Sequence, residues 1–325
     1  MQDMPEKPAL SPLPGLGTAV LIATVSFLLS MGNHALDPLV LSMLISMIIG
    51  NLAGPTPALF AGVVLSHRYI IPLGIILYGS QMDIRPLGRL GIAPVIYVIL
   101  MVLATLAAVT QLSKRFGIDR NLGLLLAAGS SICGASAIVV LSPVLKARKE
   151  DTSVALLSIT VLGLSGVIAY PLLQELFSLS DHTYALLCGS TLFQVGQVKA
   201  AASLISREAM EIALPVKLLR VGALLPVAIA FSFLADRGAQ RNPIPWYLIW
   251  SLVMALIVNF VPGADAFRSF AGPFATFVFS VALAGIGLSI ELESIFDVGL
   301  KPVLIVFLGW LVMVGLFLAG SWIVF

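Results

Sequence analysis

The sequence predicts an all-α polytopic membrane protein, and three observations lead to this fold class. Apolar residues make up 59% of the 325 residues and charged residues only 10%, whereas soluble domains carry about 25% charged residues. The mean hydropathy is +1.06. The apolar residues are also gathered into long stretches, most of them near the length of about 20 residues that a helix needs to cross a bilayer.

About eleven apolar segments, separated by short connections, follow one another along the chain. They are residues 15–33, 37–53, 69–83, 90–113, 121–146, 153–177, 184–205, 211–235, 245–261, 270–290 and 302–325. Proline, glycine or charged residues mark most connections, as expected of turns. We therefore expect one transmembrane domain over residues 1–325, embedded in the lipid bilayer, with a polar N-terminal tail at residues 1–14.

Several function classes find no support in the sequence. The formal net charge of +2 does not favour binding to nucleic acid. Cys133 and Cys188 both lie within apolar segments, and no spacing of cysteine or histidine is typical of a disulfide framework or a zinc site. The sequence has no phosphate-binding glycine loop that ends in Lys-Ser or Lys-Thr, and no nucleophile elbow. We therefore expect a protein that is not an enzyme and uses no cofactor or metal.

The most informative stretch is residues 129–138, which read Gly-Ser-Ser-Ile-Cys-Gly-Ala-Ser-Ala-Ile in the middle of the fifth segment. Glycine destabilises a helix interior by about 1 kcal/mol relative to alanine. Non-helical backbone within a bilayer is tolerated only where it is buried in protein or lines a cavity, and transporters use such broken helices to surround a substrate. The alternative is an unbroken helix whose small residues allow close packing.

A second stretch, Gly189 to Gln197, predicts another interrupted helix. A shift of 60 residues aligns Gly-Ser-Ser at 129–131 with Gly-Ser-Thr at 189–191. This match indicates internal symmetry, with chance matching in a low-diversity sequence as the alternative. Because helix N-termini carry positive partial charge and free N–H groups, the two breaks together predict a site for an anion.

Three cationic residues lie within apolar segments, where charges are candidates for a functional site. Lys217 and Arg220 are three residues apart and therefore share a helix face, and Lys199 follows the second interrupted stretch. The nearest acid in sequence, Glu211, lies near the segment end, so an anionic substrate would supply the missing negative charge. The alternative is snorkelling, in which the long side chains reach the headgroup region.

These observations predict a substrate site for a small anion, built from hydroxyl, thiol, amide, glycine and cationic residues. Its candidate residues are Ser130, Ser131, Cys133, Gly134, Ser136, Gln194, Gln197, Lys217 and Arg220. Asp83 and Glu291 lie where two segments end. These two carboxylates could bind a proton or a cation, or they could be ordinary interfacial residues.

Residues 128–138, residues 216–221 with Leu225-Pro226, and residues 285–288 resemble, in order and spacing, the YeiH-like family of bacterial inner-membrane proteins. This family is assigned to the export of sulfate, so the resemblance implies a multi-pass exporter of sulfate or a related sulfur-containing or organic anion. It also implies a fold similar to bile-acid symporters and sodium–proton antiporters. Such a fold has inverted repeats and two discontinuous crossing helices, which would be residues 121–146 and 270–290.

The chain departs from this family at one place. Where the family has a His-Glu pair, the chain has Phe193 and Gln194, so we expect little pH dependence from this position. The coupling ion, H⁺ or Na⁺, and the formation of a homodimer stay open. So does the alternative of cation–proton antiport on a similar fold, which requires a carboxylate within the membrane.

Overall fold

The structure is a computed structural model, and it describes residues 13–32, 37–53, 69–81, 92–234, 246–261, 263–288 and 299–324. Within these ranges all regular structure is helical. The first seven helices are α1 (Leu13–Gly32), α2 (Pro38–Ala53), α3 (Ile71–Tyr78), α4 (Ile92–Arg115), α5 (Arg120–Ser131), α6 (Ala135–Leu145) and α7 (Lys149–Leu176). The next seven are α8 (Asp181–Thr191), α9 (Val195–Ser203), α10 (Arg207–Gly222), α11 (Leu224–Leu234), α12 (Trp246–Phe260), α13 (Asp265–Gly287) and α14 (Lys301–Val324).

The described helices confirm the prediction of a helical membrane protein. Six stretches are long and apolar enough to cross a bilayer, namely Leu13–Met31, Ile92–Arg115, Lys149–Leu176, Arg207–Phe233, Ala266–Gly287 and Lys301–Gly320. Large apolar side chains such as Leu21, Ile168 and Phe270 are exposed on these helices, and exposed apolar surface of this kind marks contact with a membrane. Each predicted apolar segment contains a helix or a pair of helices. Among the described residues, only the six stretches named above have the length and composition of a span.

One part of the bundle is arranged around α13, which contacts α1, α2 and α3. Two glycines allow the closest of these approaches. A Cβ atom on Gly50 of α2 would lie 2.6 Å from the backbone oxygen of Leu288, and one on Gly287 would lie 2.6 Å from the backbone oxygen of Met43. Because real Cβ atoms do not come this close, α2 and the end of α13 can pack together only where these positions are glycine.

The other part of the bundle contains both interrupted helices, and α10 packs along α8 and α9. Gly189 in α8 permits this contact, because a Cβ atom there would lie 2.5 Å from the backbone oxygen of Ala213 in α10. A serine side chain caps the start of α8 and of α10. Ser180 accepts a hydrogen bond from the N–H of Thr183 at the start of α8, and Ser206 accepts one from Ala209 at the start of α10.

Both predicted breaks are present in the structure. Helix α5 ends at Ser131 and α6 begins at Ala135, with Gly134 between them at a φ of +67°. Such a left-handed conformation costs other residues about 1–2 kcal/mol, and glycine adopts it freely. Helix α8 ends at Thr191 and α9 begins at Val195. The unbroken-helix alternative for residues 129–138 is therefore wrong.

The predicted crossing partner of the first broken helix is wrong. Residues 270–290 were expected to be interrupted, but α13 runs without a break from Asp265 to Gly287. Gly285 and Gly287 lie at the C-terminal end of α13 and do not interrupt the helix, and Gly287 allows close contact with α2. Residues 181–203 form the second broken helix instead. Most of the polar tail, Asp83 and Glu291 lie outside the described residues.

Candidate functional site

The two helix breaks lie against each other at the centre of the candidate site. A Cβ atom added to Gly134 would lie 2.7 Å from Cγ of Gln194 and 3.4 Å from the backbone carbon of Phe193. The break between α5 and α6 therefore contacts the break between α8 and α9. Each break leaves two kinds of helix end, a C-terminal end with unpaired carbonyl groups and an N-terminal end with unpaired N–H groups.

Arg220 of α10 satisfies carbonyl groups at both C-terminal ends. Its Nε donates to the oxygen of Ser131 at 3.0 Å, and its Nη2 donates to Ser130 at 2.8 Å. Its Nη1 donates to the oxygens of Ser190 and Leu192 at 2.7 and 2.9 Å. The guanidinium group thereby joins the ends of α5 and α8, at the place where the helix dipole favours a positive charge.

Lys217 lies one turn earlier on α10 and has the same role. Its Nζ donates to the oxygens of Ile132 and Leu192 at 2.9 and 2.8 Å. Lys217 is 0% exposed and Arg220 is 1% exposed, so neither side chain reaches the headgroup region and the snorkelling alternative is wrong for both. The sequence suggested that an anionic substrate balances these charges, but backbone carbonyl groups surround them in the structure.

The hydroxyl groups at the ends of α5 and α8 are also used within the protein. Ser130 and Ser131 donate to the oxygens of Leu126 and Ala127, four residues earlier. Ser190 and Thr191 repeat this pattern with the oxygens of Leu186 and Leu187. Since both pairs of bonds are related by a shift of 60 residues, the alignment that the sequence suggested corresponds to equivalent positions in the two broken helices.

A cavity of about 250 Å³ lies beside the two breaks, and residues from the first turns of three helices line it. Its volume is well above the about 30 Å³ that one water molecule occupies in the liquid. It is lined by Asp37, Pro38, Leu39, Tyr78, Cys133, Ser136, Gln194, Val195, Gly196, Leu218, Val221, Thr276 and Phe279. The lining thus includes the first turns of α2, α6 and α9. Helix N-termini carry a positive partial charge, which the carboxylate of Asp37 caps at α2 and the side chains of Gln194 and Gln197 cap at α9.

Gln194 contributes the most distinctive donor in this cavity. Its backbone N–H donates to Oε1 of Gln197 at 3.1 Å, and its Oε1 accepts from Nε2 of Gln197 at 2.7 Å. Its own Nε2 has no hydrogen-bond partner among the described residues, although the residue is only 2% exposed. An unpaired buried donor costs about 1–3 kcal/mol, so a residue of the cavity wall carries a donor that no group of the described residues uses.

The first turn of α6 faces the same cavity. Gly134 is the N-cap residue and provides no side chain to cap this helix. Ser136 of the first turn lines the cavity beside Cys133, and the hydroxyl of Tyr78 lies 3.8 Å from the sulfur of Cys133. The hydroxyl of Ser136 also interacts with Tyr78. The cavity wall therefore combines hydroxyl groups, an amide and a thiol.

Asp37 is the residue of this cavity that sequence reasoning missed. It lies in the connection between α1 and α2, where its Oδ1 accepts a hydrogen bond from the N–H of Leu39 at 2.8 Å. In the sequence, Asp37 and Pro38 are the first two residues of the predicted apolar segment 37–53. An acid before a proline at the start of an apolar helix is an ordinary capping pattern, and no signal in the sequence indicates that this cap lines a cavity with Cys133 and Gln194.

The nine candidate residues divide into two groups. The structure brings Cys133, Ser136 and Gln194 to the wall of the cavity. The other six do not line the cavity and instead make hydrogen bonds or close contacts at the two breaks, namely Ser130, Ser131, Gly134, Gln197, Lys217 and Arg220. Among the described residues, no group of three or more His, Cys, Asp or Glu side chains is arranged to hold a metal ion.

Comparison with known proteins identifies close relatives over almost the whole chain. Residues 14–306 match the family model described as conserved hypothetical protein 698. The chain is 33% identical to a UPF0324 membrane protein of Archaeoglobus fulgidus over 310 residues, which are 93% of this chain and 91% of the relative. It is 32% identical to a UPF0324 membrane protein of Pseudomonas aeruginosa over an alignment of 349 positions, which covers 98% of both chains.

A further relative has a name that includes its location. The chain is 30% identical to the UPF0324 inner membrane protein YeiH of Escherichia coli K12 over 321 residues, which are 93% of this chain and 92% of the relative. Together with the six helices that can span a membrane, these relatives identify a multi-pass inner membrane protein. No solved structure matches the chain.

Proposed function

We propose a transport function for this chain, which belongs to the UPF0324 family of membrane proteins described as conserved hypothetical protein 698. The protein is a secondary transporter that binds a small anion in the cavity at the start of α2, α6 and α9. Sulfate, or a related sulfur-containing or organic anion, is the substrate class. Export is the expected direction.

The unpaired amide nitrogen of Gln194 is the observation that supports this proposal most strongly. It is a buried donor of a residue that lines a cavity of about 250 Å³, and the first turns of α6 and α9 line the same cavity. The carbonyl ends of the same broken helices are bonded to Lys217 and Arg220. The negative ends are therefore satisfied inside the protein, whereas the first turns of α6 and α9 line the cavity, and helix N-termini favour an anion.

The architecture fits transport as well. Secondary transporters bind their substrates between discontinuous helices near the middle of the membrane. If α5 with α6, α8 with α9, and α10 with α11 each count as one crossing, the helices form eleven spans. The two equivalent breaks are then the site around which the bundle alternates access.

Cation–proton antiport is the second candidate function, and Asp37 is the observation that favours it. This reading requires a carboxylate at the site, and Asp37 lines the same cavity as Gln194. The remaining lining favours the anion, because the amide nitrogen of Gln194 and the helix N-termini are donors. Binding of Na⁺ that disappears in Asp37→Asn, together with no binding of any anion, would favour the antiporter.

A binding screen with one matched pair of variants tests the proposed function. Purified protein is titrated calorimetrically with sulfate, sulfite, thiosulfate, methanesulfonate and acetate at pH 7.5. Gln194→Glu keeps the oxygen that accepts from Gln197 and replaces the free donor with a negative charge. Since a hydrogen bond to a charged group is worth about 1.5–3 kcal/mol, the affinity for the bound anion should fall by at least about tenfold.

Gln111→Glu is the control, because Gln111 is exposed on α4 and does not line the cavity. This variant should bind the anion as the unmodified protein does. Two results would contradict the proposal, namely that none of the five anions binds to the unmodified protein, or that Gln194→Glu binds as tightly as Gln111→Glu.

A further inference from the structure

We infer that Asp37 couples anion binding to proton uptake, so that its carboxyl group is protonated when the cavity holds the substrate. This inference rests on the proposed anion site, and it names the coupling ion as H⁺. The reaction needs no other group, because the proton comes from water and forms an O–H bond on the carboxylate. The sequence had no candidate for this role in the cavity, since Phe193 and Gln194 do not titrate near neutral pH.

The geometry makes the ionised carboxylate and a bound anion compete. Asp37 and Gln194 line one cavity of about 250 Å³, so an anion that accepts from Gln194 lies in the same small space as the carboxylate. Like charges within one partly buried cavity disfavour each other's charged form. Protonation of Asp37 removes this repulsion and adds an O–H donor to the cavity wall.

Asp37 is also held in place. Its Oδ1 accepts from the N–H of Leu39, and the ring of Pro38 fixes the backbone at the start of α2. Desolvation by burial raises the pKa of Asp37 to about 6, although hydrogen bonds from the N–H groups of Leu39 and Val40 lower it. An anion beside the carboxyl group would shift this pKa further upwards.

The other described groups around this cavity do not offer a competing titration near neutral pH. Tyr78 from the end of α3 and Cys133 from the break after α5 are the titratable neighbours, and their ordinary pKa values of about 10 and 8.5 lie above this range. Residues of α9, α10 and α13 that line the cavity carry no charge, and the two cations of α10 are bonded to backbone oxygens behind it.

The test measures both affinity and proton count. Sulfate and methanesulfonate are used as probes because neither titrates between pH 5.5 and 8. Each is titrated calorimetrically into the purified full-length protein in buffers of different ionisation enthalpy, which gives the number of protons taken up per bound anion. In the unmodified protein, affinity should rise by up to about tenfold for each pH unit as the pH falls through this range, with up to one proton taken up.

Asp37→Asn should bind the anion with the same affinity across this pH range and without proton uptake. Its affinity at pH 8 should match or exceed that of the unmodified protein at pH 5.5. Asp119→Asn is the matched control, because Asp119 caps α5 with the same bond, to the N–H two residues later at 2.9 Å, and is exposed outside the cavity. This control should keep the pH dependence.

The outcomes separate this inference from the proposed function. If both probes bind but the unmodified protein takes up no proton, the coupling is overturned, and this result does not depend on whether the variant folds. The same conclusion follows if Asp37→Asn and Asp119→Asn show equal pH dependence. If no variant binds either probe at any pH, the anion site itself is wrong.

Discussion

At the scale of single residues, Lys217 and Arg220 are buried cations of α10 that bind the C-terminal ends of both broken helices. Their three-residue spacing and their position within an apolar segment predict an interior location, and the structure confirms it. Their partners could not be predicted, because backbone carbonyl groups at a helix break have no sequence signature of their own. Asp37 was missed for a similar reason, because a capping carboxylate has the same sequence pattern at a surface as in a cavity.

Replacing Arg220 should destabilise the fold strongly. Arg220→Met leaves the oxygens of Ser130, Ser131 and Ser190 without this donor, and each buried unsatisfied group costs about 1–3 kcal/mol. We expect a loss of roughly 3–5 kcal/mol, similar to the loss from breaking a buried ion pair. The measurement is thermal unfolding of the purified protein in detergent.

Arg207→Met on the same helix is the control for this change. Arg207 pairs with Glu211 at 2.9 Å on the exposed surface, and such pairs contribute about 0–1 kcal/mol. The unfolding temperature should therefore change little. Equal effects of the two substitutions would mean that Arg220 does not hold the two broken helices together.

At the scale of elements, the breaks could be predicted because they depend on local sequence. Glycine with paired hydroxyl residues ends both α5 and α8, and the 60-residue alignment reflects the same hydrogen bonds in each. The assignment of residues 270–290 as a broken helix failed for a physical reason. Glycines also allow close packing between helices, and at Gly287 contact with α2 explains the residue, so composition alone does not separate the two uses.

The conformation of Gly134 gives a prediction about the first break. Gly134→Ala places a Cβ atom 2.7 Å from Cγ of Gln194, in addition to the strain of a φ of +67°. The substitution should displace the amide of Gln194 and thereby weaken anion binding. We expect a loss of at least about 1.4 kcal/mol of binding free energy, which is a factor of about ten in affinity. The measurement is the titration with the anion that binds the unmodified protein.

Gly117→Ala separates backbone strain from displacement of the amide. Gly117 has nearly the same φ, +69°, and a Cβ atom there would meet nothing within 4 Å. This control should lose about 1–2 kcal/mol of stability from the left-handed conformation and keep its affinity for the anion. A similar loss of affinity in both variants would remove the argument that Gly134 positions Gln194.

At the scale of the whole molecule, composition was sufficient to predict a helical membrane protein, because surfaces that face lipid leave a large excess of apolar residues. The assembly of the site was beyond the sequence. It depends on residues of α2, α3 and α13 meeting both breaks, and apolar helices carry little information about which faces pack together. Anion transport by this protein requires above all that this shared cavity prefers a negative charge.

Cys133 allows this claim to be measured without knowledge of the substrate. It is a free cysteine that lines the cavity, and Cys188 is the only other cysteine in the chain. In a Cys188→Ser background, mass spectrometry gives the labelling rates of Cys133 by two methanethiosulfonates of similar size, one with a sulfonate and one with a trimethylammonium group. Each rate is divided by the rate of the same reagent with a free thiol in solution.

Because the local potential in such a cavity reaches several kT, the normalised rate should be at least about tenfold higher for the sulfonate reagent at pH 5.5, where Asp37 is largely protonated. Sulfate or methanesulfonate, whichever binds, should slow this labelling. A higher normalised rate for the trimethylammonium reagent would contradict an anion site at the two broken helices.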